Sequence, residues 1–138
     1  MTAWLLKTEP EAYSFQELVA EGVDTWDGVT NATAQINLRS AREGDPCVIY
    51  HTGAERQAVG LATVAREAYP DPYASNPRLV AIDVRAGEPL ARPVRLDEIK
   101  THPLFADSPL VKNGRLSVVP LSDAQYWALL DLAGQSTG

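Results

Sequence analysis

The chain holds one cysteine, Cys47, and two histidines, His51 and His102, in 138 residues. A lone cysteine makes no internal disulfide, which suits a reducing, cytoplasmic setting. Cys47 sits in an apolar run over residues 46–50 and reads as a small buried hydrophobe, not a nucleophile. The two histidines form no ligand-spaced pair, so no metal is expected. There is no G-x-G-x-x-G, no P-loop and no nucleophile elbow, so no cofactor is expected and no catalytic motif is in view. No run approaches the ~20 apolar residues of a membrane span, and residues 1–7 lack a basic leader. Neither membrane attachment nor a signal peptide is therefore expected. Positive charge is also short: 12 Lys and Arg stand against 18 Asp and Glu, for a net charge of −6. Non-specific grip on nucleic acid runs on phosphate neutralisation, so any such role must rest on a local patch or pocket.

What is present describes one globular domain over residues 1–138, with 45% hydrophobic residues, and expected to be monomeric. Residues 3–8 read as a buried strand. Ser14-Phe15-Gln16-Glu17 has capping-box spacing and starts a helix that Gly22 stops. Residues 26–30 read as a loop, after which Asn31 caps a helix to about residue 41. Strands are expected at 47–50, at 58–68, at 79–85, at 93–96 as a short edge piece, and at 116–119. Gly60 and Ala62 leave room for a close approach on the second of these. The prolines of Tyr69-Pro70-Asp71-Pro72-Tyr73 make a stiff loop. Residues 97–100 make one helical turn, 102–110 an irregular stretch, and Ser122 caps a final helix ahead of frayed last residues. Trp4 and Trp127 are assigned to the core. Five to six strands with three helices, not in βαβ alternation, predict an α+β fold: a mixed sheet or small barrel with helices packed outside.

Trp26-Asp27-Gly28-Val29-Thr30-Asn31 places an aromatic plate and an acid just before a helix start. That arrangement suits a flat polar ligand such as a nucleobase. Its plain alternative is that Trp26 is core. Lys7, Thr8 and Glu9 finish the first strand, and His51 and Thr52 finish the Cys47 strand. If the two strands are neighbours, these ends meet the Trp26 loop at one mouth. His51 then has two readings, a ligand contact or a buried hydrogen-bonding corner. With Lys7 or Glu9 it is also the one acid/base set available to a nuclease or hydrolase acting on modified nucleotides.

At these residues the chain resembles the EVE domain, a PUA-like family related to the YTH readers. The matching segments include Trp4-Leu5-Leu6-Lys7-Thr8-Glu9-Pro10, Tyr13-Ser14-Phe15, Trp26-Asp27-Gly28-Val29 with Asn31, Asn37-Leu38-Arg39, Tyr50-His51-Thr52 and Glu67-Ala68-Tyr69-Pro70-Asp71-Pro72. They run in order from residue 4 to about residue 130. The resemblance implies a PUA-like mixed β-barrel of five to six strands and a pocket for a modified, extruded base in DNA or RNA, or for a free nucleoside. It carries no catalytic residues. The pocket it implies draws on Lys7, Thr8, Glu9, Trp26, Asp27, Asn31, His51 and Thr52. The chain departs from the family pattern where Thr30-Asn31-Ala32-Thr33-Ala34-Gln35-Ile36 replaces a run with two arginines and an aromatic. Positive charge is thereby lost, and the mouth is expected to be reshaped.

Overall fold

Four consecutive residues, Ala3 to Leu6, are buried on both faces, as befits a strand with a partner on each side. A computed structural model of the chain describes residues 2–135. The first strand, β1 (Ala3–Thr8), pairs in parallel with β3 (Pro46–His51) and antiparallel with β6 (Val118–Leu121). β4 (Gln57–Pro70) and β5 (Val80–Arg95) form a long antiparallel pair, and β2 (Val23–Trp26) lies against β5. The order β2-β5-β4-β3-β1-β6 makes one open, mixed six-stranded sheet with β2 and β6 as its edges. The helices are α1 (Phe15–Glu21), α2 (Ala32–Ser40), α3 (Leu96–Thr101), α4 (Pro109–Lys112) and α5 (Asp123–Leu132). The α+β class, the mixed sheet and the outer helices agree with the sequence, and the count of six strands is reached with one strand missed and two expected strands merged.

Local chemistry accounts for the helix starts. Ser14 and Ser122 both make complete capping boxes, with Glu17 and Gln125 respectively, and Asn31 Oδ1 accepts from Ala34 N at 2.9 Å. α2 packs on β4, β5 and β6. Its Gln35 Nε2 donates to Val80 O in β5 (3.0 Å), and its Asn37 Nδ2 donates to Val118 O in β6 (2.8 Å). One helix thus ties together the two sides of the open sheet.

Four expectations need correction. Residues 23–26 are a strand, so Trp26 closes β2 opposite Ile82. Residues 80–95 are one strand rather than two; β2 covers only Ile82–Arg85 of it. Beyond that stretch no strand among the described residues pairs with this edge of β5; Ala91 N donates to Gln135 Oε1 and Arg92 N to Ala133 O instead, and prolines at 89 and 93 are tolerated in the strand. Residues 102–110 contain a 3-10 turn (Pro103–Phe105) and the start of α4. Trp127 is 53% exposed, because α5 turns Leu129 and Leu130 inward and leaves Trp127 on its outer side. The frayed end expected after α5 falls mainly on residues 136–138, outside the described residues.

Gly60 allows a close approach as expected, and the partner is Phe15. A Cβ added there would lie 2.4 Å from two ring carbons of that buried side chain. Gly60→Ala is expected to destabilise by about 1–3 kcal/mol through overpacking, read as a shift in the denaturant midpoint at unchanged slope.

A cavity between the sheet edges

The two edges of the sheet do not meet, and a cavity of about 660 Å³ lies between them. Asp24, Thr25 and Trp26 of β2 form one wall. Lys7 and Thr8 of β1, with Arg115 and Ser117 on the approach to β6, form the other. Asp27 to Asn31 close the end between β2 and α2. The volume falls within the ~300–1,000 Å³ typical of small-molecule sites.

The closing turn is held from three directions. Gly28 adopts φ +73°, a left-handed conformation that favours glycine. Its N–H donates to Asp71 Oδ2 at 3.0 Å, Gln35 Nε2 donates to Val29 O at 2.7 Å, and Asn31 caps α2. Gln35 is 3% exposed, so the neutral side chain standing in the departed run lies beneath the cavity, not at its mouth.

Trp26 is both core and wall. It is only 7% exposed, yet it borders the cavity. Tyr13 meets its ring edge-to-face at 6.2 Å between centroids and 82° between planes. The Tyr13 hydroxyl donates to Asp24 Oδ2 at 2.6 Å, and Thr8 Oγ1 donates to Tyr13 O at 2.6 Å. Burial, together with the Asp24 carboxylate, raises the Tyr13 phenol well above its ordinary range. The aromatic corner is therefore rigid before any ligand arrives.

Charge is segregated across the cavity. Lys7 Nζ donates to Gly114 O at 3.1 Å and lies 5.7 Å from the centroid of the Tyr50 ring. Burial lowers the Lys7 ammonium pKa from its ordinary value. Exposed Arg115 stands on the same side. Asp24 and Asp27 stand opposite. Burial raises the Asp27 carboxyl pKa, and the charges of Asp71 and Asp24 push it the same way, against the pull of a backbone hydrogen bond.

Of the eight candidate residues, Lys7, Thr8, Trp26, Asp27 and Asn31 border the cavity, and Glu9, His51 and Thr52 do not. β1 and β3 are neighbours as supposed, with Thr8 opposite His51. His51 is nonetheless turned away and 3% exposed. Its Nε2 accepts from Phe15 N at 3.0 Å, which leaves the proton on Nδ1 to donate to Glu55 Oε1 at 3.0 Å. The buried hydrogen-bonding corner is thus the reading that its geometry favours. His51→Ala is expected to strand the Phe15 amide and cost about 1–3 kcal/mol of stability, measurable by denaturant unfolding. Thr52 N donates to Thr8 O and extends the β1–β3 pairing, while Glu9 O accepts from Ala12 N and Tyr13 N in a backbone turn. Tyr13, Asp24, Thr25, Arg115 and Ser117 were not singled out from the sequence. Tyr13 lies in a matched segment, whereas Arg115 read only as one of the solvated basic residues late in the chain. Among the described residues no three His, Cys, Asp or Glu side chains gather as a metal site requires, and no helix is long and apolar enough to cross a membrane.

A family model of the EVE domain matches residues 2–132. Thymocyte nuclear protein 1 of Gallus gallus is 32% identical, over 94% of this chain and 67% of its own length. A crystal structure of a protein from Agrobacterium tumefaciens matches with a TM-score of 0.95 at 30% identity, over 100% of this chain and 97% of that one. The human THYN1 protein, in complex with 5-methylcytosine containing DNA, matches with a TM-score of 0.89 at 26% identity, over 99% of both chains.

Proposed function

The chain belongs to the EVE domain family, and from that premise we propose that it binds a modified pyrimidine of DNA, without turnover, in the cavity beside Trp26. One observation carries this reading. A cavity of base-accepting size, with an indole wall and hydrogen-bonding groups, lies in a chain that shares its fold with a relative bound to 5-methylcytosine containing DNA. An extruded base stacks on the Trp26–Tyr13 corner, which contributes on the order of 1–3 kcal/mol. Extrusion costs a few kcal/mol, so polar contacts must supply the remainder. Asp27 is suited to accept from an exocyclic amino group, as acids do from cytosine. Lys7 and Arg115 on the opposite wall suit the phosphate. The hydrolase alternative loses its base, because both ring nitrogens of His51 are engaged outside the cavity. The monomer expected from the sequence is retained in this proposal.

The test is a binding series on oligonucleotides with cytosine or 5-methylcytosine at one position. A buried methyl contributes about 0.8 kcal/mol, so roughly fourfold preference for the modified strand is expected. Equal affinity for both strands, or none for either, refutes the proposal.

Acid should weaken the complex through Asp27. A donor bound to Asp27 favours the ionised carboxylate, whose pKa in the free protein lies above its ordinary 3.8. Ligand binding then pulls the pKa down, so affinity falls as the pH drops through the raised pKa of the free carboxyl. Loss of one charged hydrogen bond predicts a drop of about tenfold or more. Titration calorimetry on the protein and on Asp27→Asn reads it: the pH slope assigned to Asp27 should vanish in the variant.

A further inference from the structure

The cavity does not end at Asp27. A second hollow of about 310 Å³ shares Asp27, Gly28, Thr30 and Tyr73 with the first and continues past Asn76 and Leu79. Tyr73 stands where the two join. It is 76% exposed, the most exposed large hydrophobic side chain among the described residues. A ring so exposed adds little to the fold, since stabilisation follows the area removed from water. Packing therefore does not explain an aromatic at this junction.

The ring is free, but its base is fixed. Asp71 is 6% exposed, and its Oδ1 accepts from Tyr73 N at 2.8 Å while its Oδ2 accepts from Gly28 N at 3.0 Å. One buried carboxylate thus sets the Tyr73 backbone against the turn that follows Trp26. Pro72 limits the chain further. The second hollow offers no Lys or Arg, only Asp27 and Asp71 with the polar groups of Thr30, Ser75 and Asn76. A phosphate has no partner there, whereas the flat face of a base does.

We propose that Tyr73 is the stacking platform for the nucleobase adjacent to the extruded one, and that this neighbour occupies the second hollow. This rests on the reading of the first cavity as a base site. It makes the ligand a dinucleotide step rather than a single nucleoside. Stacking accepts any base, so the neighbour's presence matters and its identity matters little.

The experiment uses three probes: free 5-methyl-2′-deoxycytidine, a short single strand with one 5-methylcytosine, and the same strand with abasic positions flanking it. Tyr73→Ala should weaken the intact strand by about 5- to 150-fold, at least fivefold more than it weakens the free nucleoside. The parent should lose a similar factor on the abasic strand, where Tyr73→Ala should cause little further loss. Tyr73→Trp should restore binding to the intact strand. Melting temperature should be unchanged in both variants. An intact-strand affinity equal to that of the parent, or equal losses on strand and nucleoside, overturns the platform while leaving the first cavity in place. A parent that binds neither nucleoside nor strand overturns the base site and the platform together.

Discussion

Trp26→Ala should lose both its ligand and much of its stability. The indole is 7% exposed and belongs to the buried core while walling the cavity. Truncating a buried Trp costs about 3–5 kcal/mol, which for a chain of this size lowers the melting temperature by roughly 10 °C or more. Loss of the stacking face should raise the dissociation constant by a further 5- to 150-fold on the folded fraction. The two effects separate in Trp26→Phe. A smaller ring keeps an apolar body against Tyr13 and a face toward the cavity, so both losses should shrink. Affinity must be measured well below the melting point of each variant and corrected for the folded fraction. A folded Trp26→Ala that binds 5-methylcytosine DNA as tightly as the parent would sink the base-site reading. The core and cavity-wall positions read from the sequence are not exclusive, because one buried ring occupies both.

The physical range of each signal explains which features were legible. Helix starts were, because Ser14, Asn31 and Ser122 each act on an amide three residues away. The Trp26 to Asn31 corner was legible for the same reason: an aromatic, a glycine and a cap lie within six residues. β2 was not, because Val23-Asp24-Thr25-Trp26 shows no clear alternation and becomes a strand only through its pairing with β5. Trp127 was misplaced by its size, since a large apolar residue on a short helix is not compelled inward. His51 was left open between two readings for a different reason. Pairing with β1 was foreseen, but the pull of Phe15 N and Glu55 on its ring is a tertiary matter. Arg115 and Tyr73 reach the cavity only when the sheet folds round, from 89 and 47 residues beyond Trp26.

Asp71→Ala should disable the site from outside the main cavity. Its carboxylate receives two amides, Gly28 N and Tyr73 N, in charge-assisted bonds at 3.0 and 2.8 Å. Each such bond contributes about 1.5–3 kcal/mol. Because Gly28 and Tyr73 are exposed and water can replace part of the loss, a net destabilisation of about 2–4 kcal/mol is expected. The larger consequence is geometric. Gly28 is held at φ +73° by that bond, and the position of Asp27 depends on it. Releasing it should lower affinity for the free nucleoside, which Tyr73→Ala spares, and lower it further for the strand, because the same carboxylate also fixes Tyr73. A second readout distinguishes this from general loosening. Asp71 is one of the charges that raise the Asp27 pKa, so the carboxyl should titrate closer to 3.8 in Asp71→Ala. Asp71→Asn keeps an oxygen that can accept one amide while removing the charge. It should retain more stability than Asp71→Ala and still show the lowered Asp27 titration by NMR. If Asp71→Ala leaves both affinity and the Asp27 titration where they were, the clamp has no bearing on the site.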